Sequence, residues 1–189
     1  KIEGTPSRML AADGKLFVVT REGRLYAFGP KKGEPVVHRT AAQEAAPVAD
    51  KWTQAAGDIL KATGASEGYC LVLGVGTGRL AAELAAQSKL HVIAVDPDAA
   101  KVQKLRRAFD EAGLYGTRIA VHQGDPLSYP LPPYLASLIV SEDPGAAGLD
   151  SGGTFVKQVF RSLRPYGGAA CLPVPAERQE AFAGSVKAA

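Results

Sequence analysis

The chain has 189 residues, of which 46% are hydrophobic and 22% are charged. This is the composition of an ordinary globular protein, and the length allows one domain with a substantial core plus an appendage. No apolar run approaches the roughly 20 residues that a membrane span needs. The first four residues are not typical of a signal peptide, and we expect the sequence to be a piece of a longer protein.

The formal net charge of +3 is unevenly distributed along the chain. Residues 1–40 contain eight Lys or Arg and four Asp or Glu, whereas the remaining residues contain 14 and 15. The longer part is therefore close to neutral, which argues against nucleic acid as its main partner. Cys70 and Cys171 both fall in predicted buried strands, where we expect two free thiols rather than a disulfide.

The first 30 residues are predicted to form a meander of three short strands. The strands are 8–12, 15–20 and 24–28. Asp13-Gly14 and Glu22-Gly23 separate them, and such pairs between β-branched or aromatic runs are typical of hairpin turns. An isolated meander of three strands is marginally stable and leaves open edges. We therefore expect it to pack on the rest of the chain or on a second copy of the chain.

Residues 6–29 resemble one blade of the quinoprotein-type (PQQ-like) β-propeller repeat. A propeller needs several blades to bury their faces, and only one partial blade is present. The resemblance therefore assigns no propeller function to this chain. It implies instead that the chain belongs to a larger propeller-containing protein. The alternative is a single meander that packs on its neighbour.

Beyond the meander, the pattern predicts a linker and then one larger domain. Apolar residues at helical spacing from 47 to 63 predict a helix that ends at Gly64. After this helix, strands and helices alternate, which predicts an α/β, Rossmann-like fold with a parallel sheet covered by helices on both faces. The predicted parts are the meander (1–30), the linker (31–46), the α/β domain (47–189), strands near 69–73, 91–95, 117–122, 135–141 and 168–174, and helices near 79–88, 98–112 and 151–164.

The loop that follows the strand 69–73 contains three glycines at alternate positions, Gly74, Gly76 and Gly78. The first allows a tight turn, the second a close approach of a ligand to the backbone, and the third close packing of the next helix. A dinucleotide fingerprint would need its third glycine one residue later, where this chain has Arg79. The loop therefore predicts a nucleotide-type pocket and disfavours an NAD-dependent enzyme. The alternative is a glycine turn without a ligand.

The glycine spacing resembles motif I of the class I S-adenosylmethionine-dependent methyltransferases. The resemblance continues with Asp96 at the end of the second strand, with Asp125 after the third, and with Leu-Arg-Pro-Tyr-Gly-Gly at 163–168, so that it spans residues 65–174. It implies that Asp96 accepts hydrogen bonds from the ribose hydroxyls and that Asp125 meets the adenine amino group. The alternatives are a helix N-cap for Asp96, although Asp98 suits that role better, and an Asx turn for Asp125.

Three departures from this family pattern bear on activity. Val72 stands where the family commonly has an acid that helps to hold the methionine amino group, and Pro126 lacks a backbone N–H where the family often has one. The residues after the fifth strand are too few for the usual sixth and seventh strands. These departures favour an alternative function, a non-catalytic methyltransferase-like module for cofactor binding or protein interaction.

The best candidates for acceptor contacts or a general base are Glu142 and Asp143, which follow the fourth predicted strand. The alternative for both is a solvated loop. The Pro-Pro-Tyr sequence at 132–134 is similar to a signature of amino-group methyltransferases. It precedes the fourth strand rather than following it, so we interpret it as a stiff loop. His38, His91 and His122 show no metal-ligand spacing, so we expect no metal.

The sequence thus predicts methyl transfer from S-adenosylmethionine to an unknown small-molecule or protein acceptor. Most of the rate would come from orienting the acceptor in line with the activated methyl group. The compartment stays open, because the cofactor is cytosolic whereas quinoprotein-type propellers are often periplasmic.

Overall fold

The computed structural model describes residues 2–31 and 50–188. Its contacts divide the chain into two compact units, Lys1–Ala41 and Ala42–Ala189. The linker predicted for residues 31–46 lies outside the described residues, apart from residue 31 itself.

The first unit contains an antiparallel sheet of three strands. The strands are β1 (Pro6–Ala12), β2 (Lys15–Thr20) and β3 (Leu25–Phe28), in that order across the sheet. Ala12 pairs with Lys15, so that Asp13 and Gly14, both at positive φ, form a two-residue hairpin turn. The predicted meander is therefore confirmed as a structure.

The second unit is built on a parallel sheet of five strands. Its elements in chain order are α1 (Lys51–Thr63), β4 (Glu67–Leu73), α2 (Arg79–Gln87), β5 (Lys89–Asp96), α3 (Ala99–Glu111), β6 (Ile119–Gln123), β7 (Ala136–Val140), α4 (Gly153–Ser162), β8 (Ala169–Cys171) and α5 (Gln179–Lys187). The strand order is β6-β5-β4-β7-β8, and every neighbouring pair is parallel. The order reverses between β4 and β7, so the topological switch point lies at the carboxyl end of β4. The predicted Rossmann-like fold is confirmed.

The helices begin and end where their capping residues allow. Asp50 accepts hydrogen bonds from the backbone N–H of Trp52 at 2.8 Å and of Thr53 at 3.1 Å, so α1 begins after it. The predicted start at residue 47 lies outside the described residues, whereas the predicted end at Gly64 is confirmed.

Within residues 2–31 and 50–188, no helix combines the length and the apolar character needed to cross a bilayer.

The core consists of two layers, one on each face of the sheet. In β4, Cys70 and Val72 point to one layer and Leu71 and Leu73 to the other, as the alternation of side chains along a strand requires. The first layer is closed by α1, α2 and α3, and the second by α4 and the loops beside it. Residues from both faces of β4 are almost fully buried, as expected for a central parallel strand.

The last strand, β8, is shorter than predicted and lies at an edge of the sheet. It pairs with residues 138–140 of β7 and ends at Cys171. The chain turns directly afterwards, where the Val174 N–H donates to the Leu172 carbonyl at 2.9 Å, and Pro173 has no N–H to continue a ladder. Cys171 is therefore only partly buried rather than buried as predicted, while Cys70 is fully buried, and both are free thiols.

Candidate functional site

The glycine loop connects β4 to α2 at the carboxyl edge of the sheet. Gly74 has φ of 71°, and a Cβ at this position would lie 2.1 Å from the carbonyl oxygen of Asp143. Gly76 has φ of 56°, and a Cβ there would lie 2.8 Å from Cγ of Glu142. A Cβ at Gly78 would meet Leu105 of α3 at 2.6 Å. The glycines therefore permit three close approaches, two of which come from the residues that follow β7.

The residues after β7 are hydrogen-bonded to this loop through their backbone. The N–H groups of Glu142 and Asp143 both donate to the Gly74 carbonyl, at 3.2 and 3.0 Å. The Gly74 N–H donates in turn to the Val95 carbonyl of β5 at 2.9 Å. The glycine loop is thus connected to the carboxyl ends of both strands that flank β4.

The carboxylate of Glu142 lies inside the glycine loop. Its Oε1 accepts a hydrogen bond from the Thr77 N–H at 2.7 Å and another from the Thr77 hydroxyl. Its Oε2 accepts from the Leu80 N–H at 3.1 Å, in the first turn of α2. The N-cap residue of α2 is Gly78, which has no side chain that could accept these N–H groups. Glu142 therefore caps α2 from a distant part of the sequence.

Asp96 lies at the carboxyl end of β5, beside the glycine loop, and is fully buried. Its Oδ2 accepts from the Val75 N–H and from Lys101 Nζ, both at 3.0 Å, and its Oδ1 accepts from the Asp98 N–H at 3.0 Å. The N-cap of α3 is Asp98, whose side chain accepts from the backbone N–H groups of Ala100 and Lys101. Asp96 is therefore not the cap, which was the alternative for this residue.

Lys101 connects Asp96 to the residues that follow β7. Its Nζ lies 3.0 Å from Asp96 Oδ2 and 3.5 Å from Asp143 Oδ2. Burial by itself lowers the pKa of Lys101, but the hydrogen bond and charge of Asp96, with those of Asp143, outweigh it and raise the pKa above its ordinary value. Asp143 also accepts from the Ala146 N–H at 3.0 Å. Lys101 is thus a charged amine held between two carboxylates.

The loop after β6 is organised by Asp125. Its Oδ1 accepts from the Leu127 N–H at 2.9 Å, and its Oδ2 accepts from the Ser128 hydroxyl at 3.0 Å. This is the Asx-turn arrangement that was the alternative for this residue. The Leu127 N–H, which follows Pro126, is therefore engaged with Asp125. An adenine contact by Asp125 stays a prediction.

The other residues singled out from the sequence take no part in the side-chain hydrogen bonds described above. Val72 is fully buried in the apolar layer under α2 and α3. Tyr134 lies in the loop before β7, with its side chain exposed and its N–H donating to the Arg161 carbonyl at 2.9 Å. Burial, together with Arg106, lowers the pKa of His122. No group of three potential metal ligands occurs in the described ranges, and His38 lies outside them.

Sequence reasoning missed the roles of Thr77 and Lys101. Thr77 lies in the glycine loop, but nothing local shows that its N–H faces a residue 65 positions away. Lys101 lies five positions after Asp96, in the first turn of α3, so its spacing was a usable signal. The alternative of a solvated loop does not describe Glu142, because its carboxylate is hydrogen-bonded within the glycine loop. A role of Glu142 or Asp143 toward the acceptor stays a prediction.

The Rossmann-like sheet and its glycine loop suit a nucleotide-type ligand, and comparison with known protein families identifies the family. Residues 70–167, more than half of the chain, match the family described as methyltransferase domain. The chain therefore belongs to the methyltransferase domain family. Its cofactor is S-adenosylmethionine. The match does not include residues 6–29, so the propeller resemblance is not shown by it.

Solved structures with similar folds include a protein from Methanococcus maripaludis assigned as an S-adenosylmethionine-dependent methyltransferase. It is 25% identical, with a TM-score of 0.60 over 72% of this chain and 61% of that one. Geranyl diphosphate methyltransferase in complex with the cofactor is 13% identical, with a TM-score of 0.59 over 72% and 63%. The [4+2]-cyclase SpnF is 18% identical, with a TM-score of 0.57 over 72% and 56%. This chain thus spans less than two thirds of each of these proteins. No match was found among curated proteins.

The hydrogen-bond donors and acceptors at the carboxyl edge of the sheet are of the types that S-adenosylmethionine needs. Backbone N–H groups of a glycine loop suit a carboxylate, and a strand-end carboxylate such as Asp96 suits ribose hydroxyls. In the structure, however, these groups bind one another: Glu142 fills the space beside Gly76, and Asp96 is paired with Lys101. The chemistry of the site fits the cofactor, and the observed arrangement is a closed one.

Proposed function

We propose that the second unit binds S-adenosylmethionine at the carboxyl edge of its sheet and transfers the methyl group to a small-molecule or protein acceptor. The observation that carries the proposal is the buried carboxylate of Asp96, which lies beside the glycine loop in a domain of the methyltransferase family. Gly76 would let the cofactor approach the backbone, while Gly74 would form the tight turn and Gly78 would let the neighbouring helix pack close. Asp125 would meet the adenine.

The cofactor, when bound, supplies an activated methyl group on a sulfonium. The chain supplies orientation, because holding an acceptor in line with that group contributes most of the rate. Asp143 is the better candidate for accepting the proton of the acceptor, since its side chain is 41% exposed at the carboxyl edge. Glu142 is the second candidate, and it would have to leave the glycine loop to do so.

The nearly neutral charge of the longer part of the chain supports a methyl acceptor other than nucleic acid. Residues 41–189 hold 14 Lys or Arg against 15 Asp or Glu, whereas phosphate backbones are bound by basic surfaces. A small molecule or a protein group is therefore the proposed class of acceptor.

The first test is calorimetric titration of the protein with S-adenosylmethionine and S-adenosylhomocysteine. We expect binding in the micromolar to low millimolar range, and no heat with NADH. Asp96→Asn should weaken binding by at least about tenfold, because it loses a hydrogen bond to a charged group. Thermal unfolding of the variant without ligand shows whether the fold survives. Absence of binding to either ligand at millimolar concentration would refute the proposal.

A non-catalytic module that keeps the fold is the second candidate. Val72 favours it, because an apolar residue packed in the core cannot hold the methionine amino group, and Pro126 favours it through its missing N–H. Transfer of an isotope-labelled methyl group to components of a cell extract separates the two. Cofactor binding without transfer to any acceptor would favour the module.

We propose further that the chain is part of a larger protein. The meander would then mediate contact with the rest of that protein or with a second copy of this chain. The support is the blade-like sequence at 6–29 and the exposure of Leu10 and Leu25, at 65% and 67%. The full-length reading frame is the direct test: blades flanking this domain would support the proposal, and their absence would refute it.

A further inference from the structure

The glycine loop holds one anion, and that anion is the side chain of Glu142. Two backbone N–H groups, of Thr77 and Leu80, and the Thr77 hydroxyl all donate to its carboxylate. The aliphatic part of the side chain lies against Gly76, where a Cβ would be only 2.8 Å from Cγ. The carboxylate therefore occupies the approach to the backbone that the glycine makes available.

These donors would serve any carboxylate equally well. N–H groups at the start of a helix carry partial positive charge and have no partner within the helix. S-adenosylmethionine and S-adenosylhomocysteine both carry an α-carboxylate. A ligand of this kind that enters the glycine loop competes with Glu142 for the same donors, because an N–H makes one strong hydrogen bond at a time.

A second contact holds the same segment in place. Lys101 is bound to Asp96, the expected ribose acceptor, and its Nζ also lies 3.5 Å from Asp143. Asp143 is next to Glu142 in the chain, and both donate their N–H groups to Gly74. One short segment therefore engages the glycine loop directly and Asp96 through Lys101.

We propose that Glu142 closes the cofactor site by occupying the hydrogen-bond donors of the glycine loop, so that the cofactor binds only after the Glu142 side chain has left. The inference rests on the proposed function, since it concerns the same site. The apparent affinity is then reduced by the fraction of molecules in the closed form. Residue 142 sets how tightly the free domain holds its cofactor.

Glu142→Gln tests this with little change in shape. The neutral side chain keeps one acceptor oxygen, and its NH₂ group cannot accept from the second donor. We expect S-adenosylhomocysteine to bind the variant at least about tenfold more tightly than wild type in calorimetric titration. Glu142→Ala, which removes all three hydrogen bonds, should show at least the same gain. Glu111→Gln, an exposed position at the end of α3, makes the same charge change elsewhere and should bind as wild type does.

Hydrogen exchange of the ligand-free proteins gives a readout that does not depend on the cofactor. The amides of Thr77 and Leu80 should both exchange faster in Glu142→Ala than in wild type, because they lose their acceptor. In Glu142→Gln, which keeps one acceptor oxygen, at least one of the two amides should exchange faster. The amides of the β4 core should not change. Faster exchange throughout the domain would mean general destabilisation and would overturn the inference.

The titration separates failure of the inference from failure of the proposed function. Wild-type binding with equal or weaker binding by both variants overturns the inference alone, because Glu142 would then be a structural cap or a ligand contact. Binding by the variants but not by wild type supports it fully. Binding by none of the proteins at millimolar ligand overturns both the inference and the proposed function.

Discussion

At residue 74 the backbone leaves no room for a side chain. A Cβ there would meet the Asp143 carbonyl oxygen at 2.1 Å and the Ala147 nitrogen at 2.7 Å, and neither backbone atom can move without opening the loop. Gly113, just after α3, has a similar φ of 68° and no atom within 4 Å of such a Cβ. The two glycines therefore differ in crowding and not in backbone conformation.

Gly74→Ala and Gly113→Ala test that difference. We expect Gly113→Ala to lower the free energy of unfolding by about 1–2 kcal/mol, the cost of a left-handed residue with a Cβ. Gly74→Ala should cost clearly more, because the steric clash adds to the same cost. Urea denaturation of both variants measures this. Equal losses would mean that the residues after β7 do not lie against Gly74.

The ion pair at the start of α1 predicts a pH effect. The hydrogen bond from Arg79 at 3.0 Å, with further bonds from the helix N-terminus, lowers the pKa of Asp50 below its ordinary value of 3.8. A lowered carboxyl pKa gives stability that is present above the unfolded value and is lost as the pH falls through the folded one. The stabilising effect should therefore disappear below pH 3.8.

Asp50→Asn isolates this charge, because Asn is also a good N-cap. We expect the variant to melt a few degrees below wild type near neutral pH and to lose less of its stability on acidification. The two melting temperatures should converge below the pKa of Asp50. Parallel curves from pH 7 to pH 2 would show that the pair with Arg79 contributes nothing.

Among the elements, α4 shows how a helix is held on one face of the sheet. Phe155 is 1% exposed and its ring lies 6.3 Å from that of Phe182 in α5, whereas Phe160 on the same helix is 49% exposed. Phe155→Ala should therefore cost about 3–5 kcal/mol in the free energy of unfolding, the usual cost of a large core cavity. Phe160→Ala should cost clearly less, since about half of its surface stays in water. Denaturant unfolding of the two variants decides, and similar losses would contradict the placement of α4.

The predicted elements of the second unit are all present, with errors at their ends, whereas α5 was not predicted. The end of α1 at Gly64 was predicted correctly, because a glycine stop is a local signal. The last strand is shorter than predicted because its length depends on pairing with β7, and Pro173 ends that pairing. Residues 117 and 118 lie outside β6, which begins at Ile119. Local patterns thus predict the type of an element better than its limits.

At the scale of the whole molecule, the meander is the part of the chain for which we predict contact with a second copy. Leu10 and Leu25 are exposed in the described residues, although an apolar side chain gains stability from burial. If a second copy covers them, Leu25→Asp should convert a dimer to a monomer in sedimentation at several protein concentrations. Ala11→Asp, at an exposed position of β1, adds the same single negative charge and is the matched control. A wild-type chain that is monomeric at every concentration would exclude self-association through this face.

The sequence by itself determined the fold class and the family, because both depend on local patterns. Alternating strands and helices, three glycines at alternate positions, and an acid at the end of the next strand lie within short stretches of chain. It also placed Asp96 beside the glycine loop, since the carboxyl ends of neighbouring parallel strands share one edge.

Only the tertiary structure decided which hydrogen bonds and ion pairs the site residues form with one another. The carboxylate of Glu142 meets the Thr77 N–H across 65 positions in sequence, and Lys101 lies between Asp96 and Asp143. No periodicity or spacing encodes the contact of Glu142 with Thr77 or that of Lys101 with Asp143, because both depend on how closely distant loops approach once β4 and β7 are paired. The physical reason is that hydrogen bonds require distances near 3 Å, which packing alone sets.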